Sequence, residues 1–123
     1  MDVEQVREYC LAKPGVTEDF PFGDSTLCLR VMGKIFALIG LDGDHLSINL
    51  KAEPDYALEL REQHPEVQPG YHMNKKHWNT VDFEGALDGR MLRHLLDHSY
   101  GQVVKTLKKG EREALAAMGI SGE

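Results

Sequence analysis

Residues 26–51 read TLCLRVMGKIFALIGLDGDHLSINLK, and their alternation decides the fold class. Leu27, Leu29 and Val31 alternate with Cys28 and Arg30, the two-residue period of a strand with one face turned inward. Met32-Gly33 supplies a turn, KIFALIGL is apolar nearly throughout, LDGDH turns the chain again, and LSINLK resumes the alternation. Three strands joined by short turns predict an antiparallel meander with one face in a core.

Helical signals flank this meander. Asp2 and Gln5 have capping-box spacing, Val3, Val6 and Cys10 follow at helical intervals, and Pro14-Gly15 ends the run. TEDFPFGDS, with Phe20 and Phe22 on either side of Pro21, reads as an irregular, turn-rich approach to the sheet. After the meander, Glu53-Pro54-Asp55 starts a short helix that continues to Pro65. EVQPG reads as a loop. Tyr71–Met73 and His77–Asp82 are expected to pair as a β-hairpin with Asn74-Lys75-Lys76 at its tip. Asp88 then caps a long last helix whose buried stripe is Met91, Leu92, Leu95, Leu96, Ser99, Val103, Val104 and Leu107, with Gly110 at its C-terminus and a short tail helix through Met118. The predicted order is α-β-β-β-α-β-β-α, a single α+β domain over 1–118 with a tail at 119–123. Each helix has one apolar stripe to bury, so all are expected on one face of an antiparallel sheet.

Composition limits the functional classes. The chain has 123 residues, 41% hydrophobic and 28% charged, with no apolar run near the ~20 residues of a membrane span. The N-terminal segment MDVEQVREYC lacks the basic start and apolar core of a signal peptide, which points to the cytoplasm. Cys10 and Cys28 are too few for a zinc site or a disulfide framework and read as small core residues. The net charge of −6 is uneven: residues 1–69 hold 13 acids and 6 bases, residues 70–123 hold 7 acids and 8 bases. An overall negative field repels polyanions, so contact with nucleic acid must rest on a local, salt-sensitive patch.

The stretch YHMNKKHWNT, residues 71–80, holds the chain's one tryptophan beside two lysines and two histidines. As a binding wing it would set Lys75 and Lys76 on phosphates, with Asn74 and Asn79 as hydrogen-bonding groups and Trp78 or Tyr71 as a stacking surface. As plain structure it is a hairpin whose tryptophan packs and whose lysines blunt an exposed turn; alternation alone does not say which face Trp78 occupies. A second basic group, Lys105, Lys108, Lys109 and Arg112, falls at the end of the last helix, where it would complement the helix dipole. His94 and His98, four apart beside Asp97, have a metal-compatible spacing but no third ligand, and read as a solvated face. No glycine-rich phosphate loop, nucleophile elbow or paired carboxylate is present, so no catalytic residue, metal ligand or cofactor is assigned.

PFGDSTLCLRV, GKIFAL at 33–38, PGYHMNKKHWNTV at 69–81 and the Ser99-Tyr100 pair together resemble the MmcQ/YjbR family of small bacterial proteins. The resemblance implies a frataxin/CyaY-like fold with a double-wing arrangement and DNA as the partner; the hydropathy predicts no membrane association, and a monomer is expected. On that reading the DNA-facing residues are Tyr71, His72, Asn74, Lys75, Lys76, His77 and Trp78 of one wing, with Arg30 and Lys34 of the other. The LDGDH turn, acidic at Asp42 and Asp44, is ill suited to phosphate. Two alternatives stand beside it: a protein or small-ligand interaction module around Tyr71, Trp78 and Tyr100, and a frataxin-like metal binder using Glu4, Glu8, Glu18 and Asp19.

Overall fold

The structure, a computed structural model, describes residues 1–70 and 73–121. Along the chain run α1 (Val3–Leu11), β1 (Val16–Asp19), β2 (Thr26–Val31), β3 (Lys34–Gly40), β4 (Ser47–Lys51), α2 (Pro54–Gln63), β5 (Val67–Pro69), β6 (Trp78–Asp82), α3 (Gly89–Val104) and α4 (Lys109–Ser121). Among the described residues this is a mixed α+β architecture: one open antiparallel sheet of six strands, in the order β1-β2-β3-β4-β6-β5, and four helices. Local chemistry starts the helices as the sequence indicates. Asp2 and Gln5 complete a capping box on α1, the Glu53 carboxylate accepts from the Asp55 and Tyr56 N–H groups ahead of Pro54–Gln63, and Asp88 accepts from the Met91 N–H. The β2–β3 connection is Met32-Gly33, both at positive φ (49° and 85°), the geometry that follows the twist of a two-residue hairpin.

Four expectations are corrected. Val16–Asp19 is not an irregular approach but an edge strand, paired with Val31–Cys28. Val67–Pro69, read as part of a loop, is a strand pairing with Val81–Asn79; of the strand expected at Tyr71–Met73, Tyr71 and His72 fall outside the described residues and Met73 is in a bend. Pro69 is tolerated because it ends an edge strand. Gly70 follows because a Cβ there would stand 2.9 Å from both the Cβ and the carbonyl oxygen of Trp78. The last long helix ends at Val104 rather than Gly110: the Thr106 hydroxyl donates to the Val103 carbonyl, Leu107 is buried, and Gly110 sits in the first turn of α4. The tail helix expected through Met118 is α4 and runs on to Ser121, so the tail boundary drawn at 118 falls inside it, and the predicted α-β-β-β-α-β-β-α order gains β1.

The core lies on one face of the sheet. Leu27, Leu29, Val31, Ala37, Ile39, Ile48, Leu50, Val67 and Val81 join Val6 and Cys10 of α1, Leu60 of α2, Leu92, Leu95, Leu96 and Val103 of α3, and Leu115 of α4 in one buried cluster. The opposite face is uncovered by helices. Its central row runs Asp19, Cys28, Leu38, Asn49, Thr80, Gln68 across the strands.

One polar contact pierces the core. Between β2 and β3 the register passes from Leu29↔Ala37 to Arg30↔Ile35, so Phe36 is the extra residue of a bulge. The β3–β4 ladder stops at Ala37↔Leu50. Where Phe36 and Lys51 would pair next, the fully buried Ser99 of α3 inserts its hydroxyl, accepting from the Lys51 N–H (2.8 Å) and donating to the Phe36 carbonyl (2.5 Å). Its neighbour Tyr100 donates to the Pro14 carbonyl (2.7 Å) and sets its ring edge-on to Phe36 at 5.6 Å. Ser99→Ala would leave the buried Phe36 carbonyl and the part-buried Lys51 N–H without this partner, which costs roughly 1–3 kcal/mol for the buried group and less for the other. Leu96→Ala should cost about 2–5 kcal/mol through transfer and cavity effects. Chemical denaturation checks both; a Ser99→Ala protein as stable as wild type would mean the bridge contributes nothing.

Candidate nucleic-acid interface

Antiparallel pairing brings the β2–β3 turn, the end of β4 and the start of β6 to the same end of the sheet. Lys51 pairs with Trp78, and the Ala52 N–H donates to the His77 carbonyl (2.8 Å). Lys34 donates its ammonium to the Thr106 carbonyl (3.0 Å), drawing the α3–α4 connection to that end as well. Lys34, Lys51, Lys75, Lys76, Lys105, Lys108 and Lys109 thereby converge, with Glu53 and Glu111 among them. At the opposite end, where β3 turns into β4 and β6 leads to α3, stand Asp24, Asp42, Asp44, Asp82, Glu84 and Asp88.

The 73–77 turn is built by its own polar groups. The Asn74 side chain accepts from the Lys76 N–H (2.9 Å), and its carbonyl accepts from the N–H groups of His77 (3.2 Å) and Trp78 (2.9 Å), a side-chain-stabilised turn. Lys75 folds back, donating its ammonium to the Gly70 carbonyl (3.0 Å), while its own carbonyl accepts from the Arg61 guanidinium. Lys76 is exposed at the tip and His77 is half-buried. Asn79, expected to face a ligand, is buried: it accepts from Arg61 Nε (2.6 Å) and donates to the Ala57 carbonyl (3.3 Å), locking α2 to β6. Of the two positions considered for Trp78, in the core or on the surface, it takes the second in part. It is half-buried on the uncovered face, across the strand from Lys51 and outside the hydrophobic cluster.

The first wing is partly occupied by internal contacts. Arg30 bonds Asp19 (2.9 Å) and the Gly33 carbonyl (3.0 Å), and Lys34 is held on Thr106. In the second basic group Lys105 is the C-cap of α3, as a dipole argument expects. Lys108 and Lys109, with exposed Arg112 one turn on, instead open α4, so their charges add to the positive end of a helix rather than offset a negative one. Two residues were missed. Lys51 was legible as an outward position of LSINLK; Arg61 was not, because its role depends on α2 crossing β6.

The alternative sites fare differently. Tyr100 lies under the helices and Trp78 on the other side of the sheet, so the two do not share a surface; Tyr71 is outside the described residues. Among the acids proposed for metal, Glu4 and Glu18 both bind Arg7, which holds the Glu18 carboxyl below its ordinary range, and Asp19 pairs with Arg30. Among the described residues no three His, Cys, Asp or Glu side chains are grouped to hold a metal ion. Both thiols are buried; burial pushes Cys10 up to about 12 and raises Cys28, so each stays protonated.

His94 and His98 are not a plain solvated face. The Tyr56 hydroxyl meets His94 Nε2 at 2.9 Å, the Tyr56 ring lies 4.8 Å from that of His98, and His98 Nε2 accepts from the Glu53 N–H (3.2 Å). Accepting there requires the unprotonated nitrogen. Burial first, then His94 and Lys105, hold His98 below the ordinary histidine value, with Glu53 opposing. A histidine depressed in the folded state adds stability that is complete above its unfolded value of 6.5 and is lost as pH falls toward the folded value. Melting temperature should therefore fall more between about pH 7.5 and 5.5 for wild type than for His98→Gln, which keeps an acceptor without that titration. Parallel curves would remove His98 as the cause.

Comparison with known proteins accords with this architecture. The YjbR family model matches residues 11–102. The Escherichia coli K12 protein YjbR is 32% identical over 118 residues, covering 96% of this chain and 100% of its own length; YbdF of Escherichia coli O157:H7 is 34% identical over 110 residues, covering 89% and 90%. A Deinococcus radiodurans crystal structure superposes with a TM-score of 0.86 at 40% identity, covering 93% of this chain and 87% of that one. A Pseudomonas syringae crystal structure gives 0.71 at 29%, covering 83% and 98%. With a family match over most of its length and relatives aligned nearly end to end, the chain belongs to the YjbR family.

Proposed function

We propose that this protein is a DNA-binding protein of the frataxin-like, double-wing type, acting in the cytoplasm as a monomer and as a binder rather than an enzyme. The observation that carries the reading is the gathering of lysines from the β2–β3 turn, the end of β4, the 73–77 turn and the α3–α4 connection at one end of the sheet, away from the carboxylates at the other. The two wings are the Met32-Gly33 turn and the 73–77 turn. Phosphates would be met by Lys51, Lys76 and Lys108, whose backbones are fixed by β4, by the Asn74 turn and by the N–H bond from Lys108 to the Glu111 carboxylate (3.0 Å). Lys34 and Lys75 would first have to release a carbonyl, so they are the weaker contributors. Trp78, half-buried beside Lys51, offers an indole surface to a sugar or base. A second reading, an interaction module without DNA binding, draws on Ile35, Leu38 and Trp78, partly buried hydrophobics outside the core cluster.

The salt dependence of duplex affinity tests the proposal. Each phosphate contact contributes about 0.9 to the slope of log affinity against log salt, so Lys51→Ala, Lys76→Ala and Lys108→Ala together should lower it by about 3. Lys75→Ala alone should change it less. Trp78, as the chain's one tryptophan, should report binding by a change in intrinsic fluorescence. No measurable duplex binding at low salt, or an unaltered slope in the folded triple variant, overturns the DNA reading in favour of the interaction module.

A further inference from the structure

The end of the sheet farthest from the lysines carries an apolar groove that neither the fold nor DNA binding explains. Two adjoining cavities of about 520 and 400 Å³ share Val3 and Leu41. Leu27 and Phe83, nearly fully buried, are in its walls, while Phe20 and Leu41 remain 48% and 40% exposed at its edge. Phe22, 67% exposed, stands two residues from Phe20 in the same loop. Soluble monomers seldom leave such large side chains grouped in the open without a partner. The loop presenting them is held by hydrogen bonds, the Gly23 N–H to the Phe20 carbonyl (3.3 Å) and the Leu41 N–H to the Ser25 carbonyl (2.8 Å), and Pro21 restricts the chain between the two aromatics. The rim is mainly acidic: Asp2, Asp44 and Glu84 border one cavity, with His45 at 3.4 Å from Glu84, and Glu4 and Glu18 border the other. Arg7 offsets one of the last two charges, and its bonds keep both carboxylates in place.

We propose that this groove docks a short segment of a partner protein that is both apolar and cationic, setting large apolar side chains against Phe20 and Leu41 and its lysines or arginines on the surrounding carboxylates. The charge of the rim selects this occupant. It repels phosphate, so the groove is no extension of the basic end, and its carboxylates make a purely apolar segment a poor match. Phe20 and Phe22 have the character of interface anchors, rigid and aromatic, around which binding energy concentrates. The lysine-bearing end of the sheet would thus serve a polyanion and the far end a basic protein segment, and neither depends on the other.

The test uses the full chain and short labelled peptides: one alternating leucine with arginine, one leucine with glutamate, one serine with arginine. The leucine–arginine peptide should bind, weaken as salt is raised, and shift backbone NMR signals of Val3, Phe20 and Leu41. The double variant Phe20→Ser, Leu41→Ser should reduce its affinity at least about tenfold. Asp44→Asn with Glu84→Gln should reduce it as well, and both variants should keep the wild-type salt slope for duplex DNA. Equal binding of the serine–arginine peptide, or unchanged affinity in the Phe20, Leu41 variant, would reduce the effect to unspecific charge attraction and overturn the proposal. Absence of binding would overturn it too, as would self-association of the protein that buries Phe20 and Leu41 against a second copy.

Discussion

The hydroxyl of Ser99, accepting from the Lys51 N–H and donating to the Phe36 carbonyl, holds the longest helix against the middle of the sheet. Without it the bulge at Phe36 and the end of β4 would leave a buried carbonyl and a part-buried N–H unpaired, an arrangement that folded proteins avoid. The consequence extends along α3. Its C-terminal end is brought to the β2–β3 turn, where Lys34 caps the Thr106 carbonyl, and α4 starts from there with Lys108 and Lys109. Tyr100 extends the same anchoring toward the start of β1. A small polar pair in the core thus fixes where the basic groups end up.

Net charge and local charge lead to opposite expectations for a polyanion, and distance decides between them. The seven residues of β3, at about 3.3 Å each, separate the two ends of the sheet by roughly 23 Å, while charges in physiological salt are screened over about 8 Å. The carboxylates of the β3–β4 turn therefore do little to cancel the lysines at the far end. They do oppose long-range approach, so association has no help from steering and affinity rests on close contacts. The same separation allows an acidic groove and a basic end to coexist on one small domain.

The meander, the capped helices and the buried stripe of α3 were legible because each is a local pattern: alternation at Leu27, Leu29 and Val31, caps at Asp2 and Asp88, and helical spacing from Leu92 to Val103. What was hidden depended on partners distant in sequence. Val16–Asp19 is polar and turn-like by itself and becomes a strand because β2 offers it an edge. EVQPG looks like a loop, yet Val67 buries and Pro69 closes the strand. Trp78 could not be placed by alternation; its pairing with Lys51 places it on the uncovered face. The lysines of the 73–77 turn were readable as a basic tip, but not that the Lys75 ammonium turns back onto the Gly70 carbonyl. Asn79 and Arg61 form their lock only once α2 lies over β6, which no short-range signal encodes.

The central claim is that the lysine-bearing end of the sheet is the surface that meets DNA, and backbone NMR of the isotope-labelled wild-type protein titrated with a duplex at low salt tests it most directly. The account predicts shifts grouped on Met32–Lys34, Lys51, Asn74–Trp78 and Lys105–Lys109, with residues 41–46 and 83–88 at the acidic end unmoved. Shifts centred on the acidic end, or none at all, would contradict it.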